Sequence, residues 1–172
     1  MNNAERTYLL GLLKESEGEL ITTLQDVSEE SFHSKPSDEQ WSMSEIVEHL
    51  VMIDTGVLSS IQKHASKVQD AALENWENEH LVKIVTTRGR KVNAPDFFVP
   101  QGRFTTKAEA IAAYRTIRSK IDDFVTTTEL PLEKIAFNHM TLGMLNVKNW
   151  IAFVAGHCKR HTQQIEELKT SC

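Results

Sequence analysis

The stretch NVKNWIAFVAGHCKRHTQQIEEL, from Asn146 to Leu168, decides the fold. Within it Val147, Trp150, Val154, His157, His161, Gln164 and Leu168 alternate at spacings of three and four. That is the spacing of a helix face packed into a bundle seam. Asn146 stands where a side-chain oxygen can accept a first-turn N–H, and Leu145 and Trp150 flank it as a hydrophobic staple does. The seam otherwise buries valine, tryptophan and leucine, yet it carries two imidazoles one helical turn apart.

Three more segments share this periodicity. From Ala4 to Val27, Tyr8, Leu9, Leu12, Leu13, Leu20, Leu24 and Val27 form one apolar face. A second helix opens at WSMSEIVEHL, where Ser42 and Glu45 have capping-box spacing, with Trp41 and Ile46 as the staple. Its buried stripe is Ile46, His49, Ile53, Val57 and Ile61, so a third histidine falls on an apolar face. A third helix opens at Thr106 and Glu109, again a capping-box pair, and carries Ile111, Tyr114, Ile117, Ile121, Phe124 and Val125.

The connections read as loops. Residues 28–40 are polar and hold Pro36. Residues 66–104 fit a short helix around Ala71–Val85, then irregular chain held down by Phe97, Phe98 and Phe104. The stretch FNHMTLGML reads as a loop before the last helix, and no segment alternates convincingly as a strand. The expected architecture is therefore all-α: a single domain over residues 1–172, a four-helix bundle with a long crossover connection between helices 2 and 3.

The composition suits such a domain. Forty per cent of the 172 residues are hydrophobic and 25% are charged, and a chain of this size buries roughly 70% of its unfolded surface. The net charge of −5 argues against nucleic acid as a partner. Local basic character is confined to Arg88, Arg90 and Lys91, read as a solvated loop. No segment approaches the ~20 apolar residues of a membrane span. The opening MNNAERTYLL lacks the pattern of a signal peptide, and two cysteines, Cys158 and Cys172, make no disulfide framework. A reduced, cytoplasmic setting is the expectation.

Residues four apart on a helix lie roughly 6 Å from each other, so His157 and His161 can reach one metal ion. The zinc-protease helix has the same spacing, but there a glutamate follows the first histidine, and here Cys158 does. Burying an imidazole without a partner is costly. Either two of the three inward histidines are partly exposed and the third is a core histidine bonded to a carbonyl, or one divalent ion satisfies all three. Three imidazoles with an open position form a reactive centre, whereas structural zinc has four protein ligands. Of the other histidines, His33 and His80 read as solvated, His64 as a helix-end cation, and His139 as a residue that fixes its loop. Cys158 points ~100° around the helix from His157 and reads as a buried thiol.

The order of these features carries a resemblance. Trp41-Ser42, His49 seven residues further on, and a late His157-x-x-x-His161 with Gln164 resemble the DinB-like superfamily, the DNA-damage-inducible B and YfiT-type helical bundles. FFVPQGRFTTKAEAIAAYRTIRSKIDDFV is similar to that family's loop and third helix, and the likeness covers roughly residues 5–169. One departure is Met140, where the family often has proline after the loop histidine.

The resemblance implies that His49, His157 and His161 bind one divalent ion: nickel, zinc or iron. Family members include S-transferases that use bacillithiol, mycothiol or glutathione, and maleylpyruvate isomerase is a relative. The resemblance therefore implies a low-molecular-weight thiol as co-substrate and a small-molecule electrophile; on that reading a basic residue such as Arg88, Arg90, Arg103 or Arg160 is expected to hold the thiol's carboxylates. Gln164 either contacts the bound water or substrate, or closes the polar end of the seam. A hydrolase using the same ion is the alternative, with Asp54, next to the stripe residue Ile53, as the carboxylate that supports the site, and Glu45 and Glu48 left to the helix cap and a solvated face. A non-enzymatic, stress-linked binding bundle is the third reading. A homodimer is expected under all three.

Overall fold

The structure is a computed structural model that describes residues 1–69, 76–87 and 94–171. Its long helices are α1 (Asn3–Leu24), α3 (Met43–His64), α5 (Lys107–Thr127) and α6 (Val147–Ser171). Two shorter ones, α2 (Glu29–His33) and α4 (Asn78–Thr86), lie in the connections. Strands β1 (Ala136–His139) and β2 (Gly143–Asn146) precede α6.

Local chemistry places the helix starts. Ser42 with Glu45 and Thr106 with Glu109 form the two capping boxes read from sequence, and Asn2 with Glu5 forms a third at α1. The Asn146 side chain accepts from the Asn149 N–H at 2.9 Å, which caps α6.

Side-chain contacts fix the helix directions. Lys148 pairs with Glu5 at 2.8 Å and Lys159 with Glu15 at 2.9 Å, so α1 and α6 run parallel. The Arg6 guanidinium holds the carbonyls of Val125 and Thr128, which sets α5 antiparallel to α1. Arg103 reaches Glu48, and further along the bundle Arg118 reaches Asp54, so α3 and α5 are parallel neighbours. Parallel neighbours cannot be joined by a short turn. The chain must return along α3, 22 residues or about 33 Å of helix, and residues 65–106 make that crossover. Within it, α4 lies on α6 over Gly156, where a Cβ would stand 3.2 Å from the Val85 Cβ.

α1 packs on α5 and α6, and α3 on the same two helices, with the core between them. Leu9, Leu20, Ile46, Leu50, Tyr114, Ile151 and Val154 are among its fully buried side chains. No described helix is long and apolar enough to cross a membrane.

Four expectations need correction. Residues 28–40 are not all loop: Ser28 caps α2, and this single turn buries Phe32 completely. FNHMTLGML is an antiparallel hairpin, with Ala136 opposite Asn146 and His139 opposite Gly143, and Gly143 supplies the positive φ of 75° at its turn. Phe97 is 69% exposed, so Phe98 and Phe104 anchor the crossover without it. Glu48 does not lie on a solvated face; it is 2% exposed. The helix placed around Ala71–Val85 is α4, and its first five expected residues, with Arg88, Arg90, Lys91 and Cys172, lie outside the described residues.

Candidate metal centre

α3 and α6 lie side by side and antiparallel, which brings His49 against the His157–His161 pair. One ring nitrogen from each of the three lies within 4.8 Å of the others. Ring centroids are 5.2 Å apart for His49–His157, 5.0 Å for His49–His161 and 4.5 Å for His157–His161. His49 and His161 are buried, while His157 is half-buried and opens the cluster toward solvent.

The outer nitrogens fix which atoms face inward. His49 Nδ1 lies 2.8 Å from the Phe98 carbonyl oxygen. A carbonyl only accepts, so Nδ1 carries the proton and Nε2 keeps its lone pair. His161 Nδ1 lies 2.9 Å from Gln164 Oε1, which selects the same tautomer. His157 Nε2 stands 3.2 Å from His161 Nε2, and its own Nδ1 is buried without a hydrogen-bond partner. Nitrogen lone pairs that face one another at this range repel unless a proton or cation lies between them.

Protonation is disfavoured. Burial pushes His157 well below the usual histidine range, and the neighbouring His161 and His49 push it further. Burial also lowers His49, against the opposing pull of the Phe98 carbonyl. Neutral imidazole is the form in which histidine ligates, so the lowered His49 and His157 and the three converging ring nitrogens fit a divalent cation.

Aromatic rings wall the site. Trp41 leans on His49 at 4.9 Å, and Phe153 stacks on His157 at 5.2 Å. His139 meets Phe153 at 4.7 Å, and its Nδ1 accepts from the Thr141 and Leu142 N–H groups, each at 3.2 Å. It fixes its turn by hydrogen bonding.

The other expected residues divide. Gln164 touches the site through His161. Asp54 does not; its Oδ2 pairs with Arg118 Nε at 2.8 Å, and both side chains are fully buried. Five residues after His49 is about 140° around the helix, which turns Asp54 toward α5. Burial pushes its pKa up to about 6, against the lowering pull of Arg118. Glu45 serves the α3 cap and Lys35. Arg103 pairs with Glu48, and Arg160 donates to the Thr87 carbonyl at 2.5 Å. Cys158 is buried, accepts from the Tyr114 hydroxyl at 3.0 Å, and burial pushes its thiol up.

Two participants carried no sequence signal. The Phe98 carbonyl is backbone, which no residue type announces. Glu48 accepts from the Gln101 N–H at 2.8 Å and the Arg103 N–H at 2.9 Å, in a segment no periodicity could place beside α3.

A profile of the DinB superfamily matches residues 12–165. The chain belongs to the DinB superfamily. A relative is YuaE of Bacillus subtilis (strain 168), an uncharacterized protein 26% identical over 160 residues, which span 93% of this chain and 96% of YuaE. Among solved structures, the chain is similar to YfiT from Bacillus subtilis, described as "a probable metal-dependent hydrolase with an unusual four-helix bundle topology". The TM-score is 0.66 at 13% identity, over 99% of this chain and 89% of YfiT. It is also similar to TT2238, a four-helix bundle protein, at TM-score 0.62 and 14% identity, over 94% of this chain and 98% of that one. Both likenesses show the fold, a four-helix bundle.

Proposed function

We propose that this DinB-superfamily bundle is a divalent-metal-dependent enzyme that joins a low-molecular-weight thiol to a small electrophile, with nickel, zinc or iron held by His49, His157 and His161. The observation that carries the reading is the convergence of three imidazole nitrogens from two helices. A divalent ion with three such ligands and one open position supplies Lewis acidity, which favours the deprotonated form of a thiol or of water near neutral pH.

The chain's own residues orient the ligands and line the site with apolar surface. The Phe98 carbonyl and Gln164 Oε1 hold the rings of His49 and His161 with Nε2 inward. Trp41 and Phe153 cover two of the imidazole faces with apolar surface. The fate of the nearby α3 carboxylates favours a thiol over water. Glu45 is bound to its cap, Glu48 to two loop amides and Asp54 to Arg118. None of these is placed to take a proton from attacking water, whereas a thiol, with an ordinary pKa of about 8.5, needs less help to ionise.

Hydrolysis is the second reading, favoured by the description of YfiT as a probable metal-dependent hydrolase. The test is incubation of the tag-free protein and each metal with a panel of cellular thiols and monochlorobimane. Conjugation that disappears on chelation and in His49→Ala supports the thiol reading. Ester or amide turnover without thiol, with the same two controls, supports hydrolysis. Failure of both assays with a metal-loaded protein would refute an enzymatic role on these substrates.

A further inference from the structure

The cluster faces outward through one peptide. His49 Nδ1 donates to the Phe98 carbonyl, so the direction of the His49 lone pair depends on where the crossover holds Phe98. Three features hold it. The Phe98 N–H closes a turn on the Pro95 carbonyl at 2.8 Å. The Phe98 ring lies over Gly56, the single glycine of α3, where a Cβ would stand 3.1 Å from the ring. The third is Glu48, next to His49 in the chain. Its Oε1 accepts from the Gln101 N–H at 2.8 Å and its Oε2 from the Arg103 N–H at 2.9 Å, while Arg103 Nε closes on Oε1 at 3.4 Å. Burying a carboxylate is costly unless it is fully hydrogen-bonded. Here both oxygens are used, and both bonds go to one short segment of the crossover.

We infer that Glu48 is a positioning residue for the metal centre: its carboxylate clamps residues 101–103 to α3, which holds the Phe98 carbonyl against His49 and aims the His49 Nε2 at the other two imidazoles. α3 thus carries both a ligand and the clamp for the carbonyl that orients it. Hydrogen-bond partners of metal-ligating histidines fix ring orientation, and their loss commonly weakens metal binding about 10–100-fold. Glu48 acts one bond further out, so the lower end of that range applies. This inference rests on the proposed three-histidine site.

The test is a cobalt(II) titration followed by its visible absorption, together with thermal melting of the metal-free protein. Glu48→Gln nearly preserves shape but puts an NH2 where one loop amide needs an acceptor. It is expected to bind cobalt about tenfold more weakly than the wild type, with an altered absorption spectrum, because the His49 ring is no longer held. Glu48→Ala is expected to do the same or more. Asn2→Ala, which removes the α1 cap beside the C-terminal end of α5, should lower the melting temperature and leave affinity and spectrum unchanged. A folded Glu48→Gln with wild-type cobalt affinity and spectrum would overturn the inference, whatever its melting temperature. In that case His49→Ala would still abolish binding and the site itself would stand. A wild-type chain that binds no cobalt, or a His49→Ala variant that binds it normally, would overturn both readings.

Discussion

Gln164→Ala tests whether the second imidazole on α6 is held for a metal. Gln164 is half-buried, and its Oε1 accepts from His161 Nδ1 at 2.9 Å. Away from the core, its loss should change the stability of the metal-free protein by no more than about 0.5 kcal/mol. Its loss should weaken metal binding about 10–100-fold, as removal of a ligand's hydrogen-bond partner does. With free metal at about 100 times the wild-type Kd, binding adds about 2.7 kcal/mol to the wild type. At the same concentration a tenfold weaker variant gains about 1.4 kcal/mol, and a hundredfold weaker one about 0.4 kcal/mol. A chain of this length shifts by roughly 2–4 °C per kcal/mol, so metal should raise the wild-type melting temperature by about 5–11 °C. The rise in the variant should be about 1–6 °C. Differential scanning calorimetry with and without buffered zinc measures both. Equal shifts in the two proteins would refute the reasoning, because the His161 ring would then need no support from Gln164.

Other predictions follow from single residues. Phe32→Ala, in the short helix α2, should destabilise the chain by about 3–5 kcal/mol in chemical denaturation, because the ring is fully buried. Ser42→Ala should cost about 1 kcal/mol through loss of the α3 cap. Asp54→Asn should leave metal stoichiometry at the wild-type value by elemental analysis. Its pH profile should also differ. The folded Asp54 keeps its proton up to about pH 6, and the unfolded one only to about 3.8. Between those values the folded state binds more protons, so wild-type stability relative to Asp54→Asn should fall as pH rises through that window and level off above it. A flat difference between the two denaturation profiles would contradict this.

The bundle was legible because burial on a helix leaves a period. The stripes through Ile46, His49 and Ile53 and through Val154, His157 and His161 place three imidazoles inward, and the helical pitch does the rest. The long segment between α3 and α5 suggested the crossover, since parallel neighbours need one. Short elements left no comparable trace. The strands β1 and β2 have four residues each, too few for alternation to stand out, and α2 is one turn anchored by Phe32. Tertiary partners were also invisible. Asp54 is adjacent to the stripe residue Ile53, but its partner Arg118 is a charged residue inside another helix. Glu48 looked solvated because its partners are backbone amides some 50 positions later.

The most direct measurement is metal content combined with X-ray absorption on protein expressed without a polyhistidine tag. The account predicts one divalent ion per chain, with three imidazole nitrogens at about 2.0–2.1 Å if the ion is zinc. It also predicts stoichiometric loss of that ion in His49→Ala, His157→Ala and His161→Ala. A chain that carries no ion after exposure to nickel, zinc and iron, or one that keeps its ion when any of these histidines is removed, would contradict it.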